Sequence, residues 1–428
     1  MLLRHKMEKK LKEIYSELLK YYKKNDASKI KLIKQIIDNF DDTVVKNNIV
    51  TELIEIYSVN NNPKRDFIKK LDSNKYLIGF NNGVYDLKEF IFREGKYDDY
   101  ISMSVGYDYI DKHTEQFKLL NIFLCDIQPV EEERNYILTY FSICLVGNLL
   151  ELFTILSGIG RNGKTKFVEL VKMTFGDYFG AVESQMFTRP RPSASSPDPG
   201  LLNLMKKKII VASEPEKNSK LNSGFIKFIT GRDTTTLRNC HQNEMIDFKA
   251  NFVTFLLCNV IPDVDDMDNA FSKRLRSINF PTEFVDNPSK ENEKKINAEV
   301  NDQFQYWKQD FMLLLISYYA AYSKKKELIT TANILKWTNI YKESTDLYLS
   351  YLNEQTEKSE SHIHTAYLYA DFKIWFKANN PNEKIPNNRE FINGIKKYHT
   401  IEKSLRINKK ISCGIKNIKL LDSDFDEN

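Results

Sequence analysis

The chain has 428 residues, 42% of them hydrophobic, and its 63 Lys and Arg nearly balance 58 Asp and Glu for a net charge of +5. That length and apolar content suit two to four domains with sizeable cores, and the near balance excludes a nucleic-acid reading from total charge alone, so distribution must decide. The five cysteines, Cys125, Cys144, Cys240, Cys258 and Cys413, stand singly, with no C-x-x-C pair or nearby histidine at a zinc-ligand spacing. A reducing compartment and no structural zinc are expected. The opening Met1-Leu2-Leu3-Arg4-His5-Lys6 becomes charged too early for a secretory signal, and the longest apolar run, residues 311–322, is too short and too polar to span a bilayer. The expectation is a soluble intracellular protein with no membrane partner.

Residues 7–40 predict helix, with Leu11, Ile14, Tyr15, Leu18 and Tyr22 on one face. Residues 76–80, 83–87 and 101–109 predict short strands around the turn Asn81-Asn82-Gly83. Helical spacing returns over 115–149 through Phe117, Leu120, Phe123, Tyr136, Ile137, Tyr140 and Phe141.

The stretch that follows organises the rest. Leu152-Phe153-Thr154-Ile155-Leu156 is a buried-strand pattern. Gly158-Ile159-Gly160-Arg161-Asn162-Gly163-Lys164-Thr165 fits G-x-x-x-x-G-K-[ST], and Phe167, Leu170 and Val171 recur at helical spacing after it. Strand, loop and helix in this order make a phosphate-binding loop, because backbone N–H groups at a helix N-terminus favour a polyphosphate. Gly158, Gly160, Arg161, Asn162, Gly163, Lys164, Thr165 and Lys166 are the expected ATP-binding residues. Lys164 is assigned to the β/γ-phosphates and the Thr165 hydroxyl to Mg2+.

Residues 189–200, with four prolines among small polar residues, read as a flexible surface loop that cannot be regular structure. Two further apolar runs, 208–212 and 252–258, complete a set of three strands and imply a parallel sheet with its ligand at the strands' carboxyl ends. Glu214 after the second run is positioned to hold magnesium through water or to polarise the attacking water, with Glu216 a second carboxylate nearby. Ser213 stands where many ATPases place the metal-side acid. Asn259 after the third run is assigned to the γ-phosphate or the attacking water. Between those runs, a β-branched segment, a polar tip and Met245-Ile246-Asp247-Phe248 predict a hairpin presenting Arg238 and His241, with Lys249 close after, to a nucleic-acid backbone. Downstream, Arg274 and Arg276 flank a short apolar segment, and an arginine aimed at a neighbouring subunit's γ-phosphate would couple hydrolysis to assembly.

These motifs, in this order, resemble the superfamily 3 helicases of the poxvirus primase-helicase type, found also in other large DNA viruses and phage primases. The resemblance rests on residues 158–165, 209–216, 227–238, 256–262 and 272–280, and extends to 79–87 before the core and to 367–376 with Gly414-Ile415 after it. It implies an ATP-dependent DNA helicase, a ring and usually a hexamer, moving 3′ to 5′ on single-stranded or forked DNA. It further implies Lys164, Glu214 and Asn259 acting on ATP with Mg2+, held by Thr165 and Glu214, and Arg274 acting in trans, with Arg276 in reserve. Many relatives have two adjacent arginines where this chain has Lys273-Arg274. No primase module is recognisable, so the chain is either a helicase without primase or part of a longer protein. The resemblance implies a primase module or polymerase as partner and a place at a cytoplasmic viral replication site or in the host cytoplasm or nucleus.

Residues 384–420 carry ten Lys or Arg against two Glu, a local balance of +8 that the total hides. Helices followed by the basic alternating stretch 405–420 suit a winged-helix-like DNA-binding module, with Lys409, Lys410, Lys416 and Lys419 near phosphates. The expected architecture is α/β: a P-loop, AAA+-like ATPase core with a parallel sheet at 151–285, after a mixed α+β domain at 1–114 and a helical lead-in at 115–150. A helical segment at 286–330 and a mainly helical, winged-helix-like domain at 331–428 follow, with an acidic tail expected to be disordered. The competing readings are a P-loop phosphotransferase and a nucleotide-regulated origin-binding or assembly protein.

Overall fold

The computed structural model describes residues 2–22, 27–42, 44–49, 51–52, 67, 70–147, 149–192, 196–216, 219–240, 245–381, 384–407 and 410–421. The acidic tail lies outside the described residues. The chain divides into two compact units, Met1–Asn74 with Lys96–Ser102, and Lys75–Gly95 with Met103–Asn428. Among the described residues no helix is long and apolar enough to cross a membrane.

In the first unit the helical pattern resolves into two helices, α1 (Leu2–Tyr22) and α2 (Ala27–Asn39). Tyr15 meets Phe40 edge to face at 5.5 Å, and Lys12 pairs with Asp41.

The second unit opens with a three-stranded antiparallel sheet, β1 (Leu77–Phe80), β2 (Gly83–Asp86) and β3 (Ile91–Arg93). Residues 101–109, expected as a strand, are extended without forming one. Among the described residues one backbone hydrogen bond, Val105 N–H to Gly79 O (2.9 Å), ties them to β1, and Asn81 N–H to Tyr107 O (3.0 Å) ties them to the turn after it. The boundary expected at 114 falls inside this unit, because Ile78, Phe80, Tyr85 and Leu87 share one core with α3 (Phe117–Ile127) and α4 (Glu131–Ile143).

Five strands form the central sheet: β4 (Phe153–Ser157), β5 (Phe179–Val182), β6 (Ile209–Ala212), β9 (Val253–Cys258) and β10 (Leu275–Asn279). Their order is β10-β4-β9-β6-β5 and every pairing is parallel. β4, β6 and β9 are buried along their whole length, which is why continuous rather than alternating apolar runs announce them. Leu156 and Phe255 pack toward α3, α4, α5 (Lys164–Phe175) and the later helix α10 (Val300–Lys325). Phe153, Ile155 and Leu256 pack on the other face, so the sheet lies between two helical layers.

That second face is covered by the short helices α6 (Gln185–Thr188) and α7 (Pro199–Leu202), with α8 (Ser223–Thr230) and α9 (Asn269–Arg274). α7 corrects the reading of residues 189–200 as wholly irregular. Pro199 occupies its first turn, where a missing N–H costs nothing, and the buried Asp198 side chain caps Leu201 N–H at 2.9 Å. A hairpin, β7 (Thr235–Arg238) with β8 (Met245–Phe248), stands between β6 and β9 as expected. β11 (Glu283–Val285) and β12 (Glu293–Lys295) form a small parallel pair after β10.

α11 (Ala332–Thr345) packs on β10: Ser277 N–H donates to Thr338 Oγ1 at 3.0 Å, and Tyr341 is buried with its hydroxyl on Pro262 O at 2.8 Å. It therefore belongs to the sheet's layer and not to the C-terminal module where the sequence places it. That module has its own core and comprises α12 (Leu347–Gln355), β13 (Thr356–His364), α13 (Thr365–Asn379), α14 (Asn388–Ile395), β14 (Glu402–Ile407) and β15 (Lys410–Leu420). Its antiparallel sheet has the order β13-β15-β14, so three strands stand among helices where a mainly helical domain is expected.

Candidate functional site

The loop between β4 and α5 supplies the centre of the site. Gly160 (φ 101°), Arg161 (φ 46°) and Gly163 (φ 79°) lie in the left-handed region, so the backbone curls before the first turn of α5. Two glycines are required by packing. A Cβ on Gly158 would come within 1.8 Å of Asn162 Nδ2 and 2.9 Å of Phe280 O, and one on Gly163 within 2.6 Å of Ile127 Cγ2. The curl presents N–H groups at the N-terminus of a 12-residue helix, an arrangement that can bind a polyphosphate.

Lys164 begins α5 yet is only 4% exposed. Its ammonium donates to Gly158 O (2.9 Å), Asn162 Oδ1 (3.0 Å) and Asn259 Oδ1 (3.1 Å). Burial pushes its pKa down to about 8, while Cys258 and Glu214 act in the opposite direction. Parallel pairing explains how distant residues meet here. Ser157 is level with Cys258, and Leu256 with Ala212, so the carboxyl ends of β4, β9 and β6 place Gly158, Asn259 and Glu214 along one edge. The exposed Glu214 carboxylate accepts from Asn259 N–H (3.3 Å), Asn259 Nδ2 (3.2 Å) and Val260 N–H (3.4 Å). Lys164, Asn259 and Glu214 thus form one connected cluster.

The other predicted residues distribute around it. Thr165 is exposed at the start of α5, whereas the Lys166 ammonium turns along the helix to Glu169 at 3.2 Å. Ser213 is exposed, and Glu216 lies 3.4 Å from Gln185 Nε2, away from the lysine cluster. Among the described residues there is no group of three or more His, Cys, Asp or Glu able to hold a metal. A divalent ion here would need phosphate oxygens and water beside Thr165 and Glu214, the ordinary situation for magnesium. One observation fits the residues to a phosphate ligand: Asn162 Nδ2 is buried without a hydrogen-bond partner among the described residues, while its Oδ1 is committed to Lys164.

Arg274 is not part of this cluster. It immediately precedes β10, whose Leu275 pairs with Phe153 at the amino end of β4. The five-residue strand separates it from the loop by about 17 Å along the sheet. There its guanidinium binds Glu151 Oε2 at 3.2 Å and Ala270 O at 3.0 Å, and Arg232 Nε binds the other Glu151 oxygen at 3.3 Å. The sequence reading missed both Glu151 and Arg232. No local motif marks them, since the fold alone brings residue 151 to residues 232 and 274. Arg276, the reserve, turns its guanidinium onto the carbonyls of Lys273 (3.1 Å) and Leu275 (2.7 Å).

In the hairpin Arg238 is half-buried and pairs with Met245, and its carbonyl accepts from Asp198 N–H at 3.0 Å. Lys249 is exposed just beyond β8, and His241 lies outside the described residues. Two arginines of the proline-rich segment flank the hairpin's supporting helix. Arg189 pairs with Asp198 at 2.6 Å and lies over Phe225, and Arg191 stacks over Phe228 at 4.3 Å.

Residues 3–129 match the family described as "D5 N terminal like". The chain is 36% identical over 389 residues to a protein named "Putative helicase L207/L206" of Acanthamoeba polyphaga mimivirus, covering 86% of this chain and 39% of that protein. It is a relative of the helicases and primases of large DNA viruses. A protein named "Putative primase C962R" of African swine fever virus is 25% identical over 338 residues, with 74% of this chain and 35% of that protein covered. The chain therefore spans under half the length of these relatives. Among solved structures, the apo NrS-1 C-terminal region is similar at 13% identity and a TM-score of 0.45, covering 73% of this chain and 78% of that one.

Proposed function

We propose that this chain is the ATP-driven motor of a DNA helicase in a large-DNA-virus replication system, of the superfamily 3, AAA+-like type. The observation that carries the reading is the convergence of Lys164, Asn259 and Glu214 beside a glycine-rich loop at the carboxyl edge of the parallel sheet. Strand order supports it: numbered along the chain the five strands run 5-1-4-3-2, which sets the loop strand between the strand that Asn259 follows and the strand that Arg274 precedes.

In this reading backbone N–H groups of the loop and Asn162 Nδ2 bind the phosphates of ATP, and the Lys164 ammonium exchanges its carbonyl partners for β/γ-phosphate oxygens. Thr165 and Glu214 would hold magnesium, which when bound would supply charge neutralisation at the phosphates. Glu214 accepts the proton of the attacking water while Asn259 orients that water. Arg274 sits at the opposite edge of its own sheet, so a second copy must supply the guanidinium that stabilises charge on the leaving phosphates. A ring, hexameric as the resemblance implies, satisfies this for every site. Arg238, His241 and Lys249 then contact a single strand through its phosphates and move it 3′ to 5′, with primase or polymerase chemistry supplied by a partner or another module.

The test is ATPase rate with and without single-stranded DNA, alongside unwinding of forks with opposite tails. Stimulated hydrolysis and unwinding of one fork only are expected. A purified oligomer that ignores single-stranded DNA and opens neither fork overturns the proposal.

A further inference from the structure

The C-terminal module runs helix, strand, helix, helix, strand, strand from α12 to β15. Its α14 is seated from one side only. Phe391 and Ile395 are fully buried among Tyr351, Phe372 and Trp375, and Gly394 abuts the Tyr348 ring, where a Cβ would lie 2.2 Å from Cδ2. The start of the helix is fixed by a capping box, with Asn387 accepting from Arg389 and Glu390 N–H, both at 3.0 Å. Seating one face fixes what the other presents. Arg389, Asn393 and Lys396, at i, i+4 and i+7, are all exposed, and no ion pair or side-chain hydrogen bond among the described residues holds any of them.

The ion pairs redistribute the +8 of this region. Lys416 is tied to Glu402 at 2.7 Å, Lys419 to Glu357 at 2.8 Å and Lys397 to Asp346 at 3.7 Å. Two of the lysines expected to meet phosphates, Lys416 and Lys419, are therefore already paired with carboxylates. Within residues 384–420, the exposed cations without a carboxylate partner among the described residues are Lys384, Arg389 in the first turn of α14, Lys396 at its C-cap, and Lys403, Arg406 and Lys410 on the β14–β15 hairpin.

We propose that α14 is a duplex-DNA reading helix, with Arg389 and Asn393 directed to base edges in the major groove and Lys396 to a phosphate. The chemistry matches those edges, since arginine pairs with guanine and asparagine with adenine through bidentate hydrogen bonds. A protruding helix also fits a groove about 12 Å wide. Single-stranded nucleic acid is disfavoured as the ligand, because its binders offer aromatic platforms for stacking. Here the rings are committed elsewhere: Tyr351, Phe372, Trp375 and Phe391 interlock in the core, and the Tyr398 hydroxyl is held by Asp346 at 2.6 Å. The inference rests on the reading of the chain as a DNA motor and adds a second, duplex-specific contact remote from the hairpin.

The experiment uses the full chain and fluorescence anisotropy with a labelled blunt duplex and a single strand of equal length. The variants are Arg389→Gln with Lys396→Gln, and, as a charge-matched control, Lys416→Gln with Lys419→Gln. The first should weaken duplex binding about tenfold or more and reduce the salt slope by about one, the single phosphate contact of Lys396, with single-strand affinity and single-strand-stimulated hydrolysis unchanged. The control should lie within about threefold of wild type on both ligands. Asn393→Ala should leave general duplex affinity nearly intact and flatten any sequence preference. Thermal melting confirms folding, which exposed polar substitutions leave in place. A wild-type chain that does not bind duplex, a first variant that binds it unchanged, or equal losses on duplex and single strand each overturn the proposal. Absence of single-strand-stimulated hydrolysis would instead remove the motor reading, while anisotropy still reads the α14 surface directly.

Discussion

Lys164 carries a positive charge into a buried position before any ligand arrives, and its titration can be followed. Burial brings its pKa down to about 8, against about 10.4 for an unfolded lysine. At pH 9 the free site has lost about 0.9 of a proton, and at pH 7 about 0.1. A polyphosphate beside Nζ restores the charged form, so binding at pH 9 takes up close to one proton, and apparent affinity falls about tenfold per pH unit above 8. Calorimetric titration with a non-hydrolysable ATP analogue, in two buffers of different ionisation enthalpy, reads that uptake directly. Heats that match between buffers for the wild type at pH 9, or an uptake that survives Lys164→Met, would refute the reasoning. The same shift has a stability sign. Between pH 8 and about 10.4 the unfolded chain holds a proton that the folded chain has lost, so folding stability rises with pH across that window. Below it the buried charge costs up to about 3 kcal/mol. Lys164→Met removes that cost but strands the oxygens of Gly158, Asn162 and Asn259, which offsets it; the variant lacks the wild type's rise in stability between pH 8 and about 10.4, so its stability relative to wild type should fall across that window.

Arg274→Ala should lower hydrolysis by about a thousandfold or more while leaving nucleotide affinity within about threefold. Mixing it with Lys164→Ala should restore part of the rate, because an oligomer of both contains some intact sites; no recovery in mixed oligomers counts against action in trans. Gly158→Ala places a Cβ 1.8 Å from Asn162 Nδ2, and the displaced amide should weaken ATP binding at least tenfold, measured by anisotropy of a fluorescent analogue. Lys208 is 4% exposed and donates to the carbonyls of Lys75 (2.9 Å), Leu77 (3.4 Å) and Leu145 (2.5 Å) beside the Tyr178 ring. Lys208→Met strands those acceptors and should cost about 3 kcal/mol in urea unfolding, with ATP affinity little changed.

The parts of the fold that the sequence announces are those with a one-dimensional signature. β4, β6 and β9 are buried on both faces, so each appears as an unbroken apolar run, and the loop's glycines answer to a local steric demand. β5 escapes because Gly180 interrupts it and Ala181 is exposed, and β10 because Arg276 and Ser277 divide its apolar residues. β13 is unreadable by pattern: Thr356-Glu357-Lys358-Ser359-Glu360-Ser361 is almost wholly polar, and only its pairing with β15 makes it a strand. Residues 101–109 err the other way, since their pattern imitates a strand although, among the described residues, one backbone hydrogen bond reaches β1 and one the turn after it. In the site, Lys164, Glu214 and Asn259 were legible because each follows a strand end. Glu151 and Arg232 were not, because their meeting is a tertiary event with no local cause.

The polarity of the sheet gives the site its logic. Parallel strands send all their carboxyl ends to one edge, so the glycine-rich loop, Lys164, Asn259 and Glu214 gather there although they lie far apart in the chain. The same rule sends the residue preceding β10 to the other edge, where Glu151 holds Arg274 and Arg232 together with both carboxylate oxygens engaged. No side-chain rotation spans about 17 Å, since an extended arginine reaches roughly 7 Å from its Cα. One chain can therefore present a complete phosphate cradle and a complete arginine pair, yet cannot bring the two to one phosphate. Dilution should expose this division: hydrolysis per chain should fall steeply below the assembly concentration while nucleotide binding per chain persists. A rate per chain that stays constant into the monomer range would place the missing charge within the same subunit and exclude the pair at residues 232 and 274.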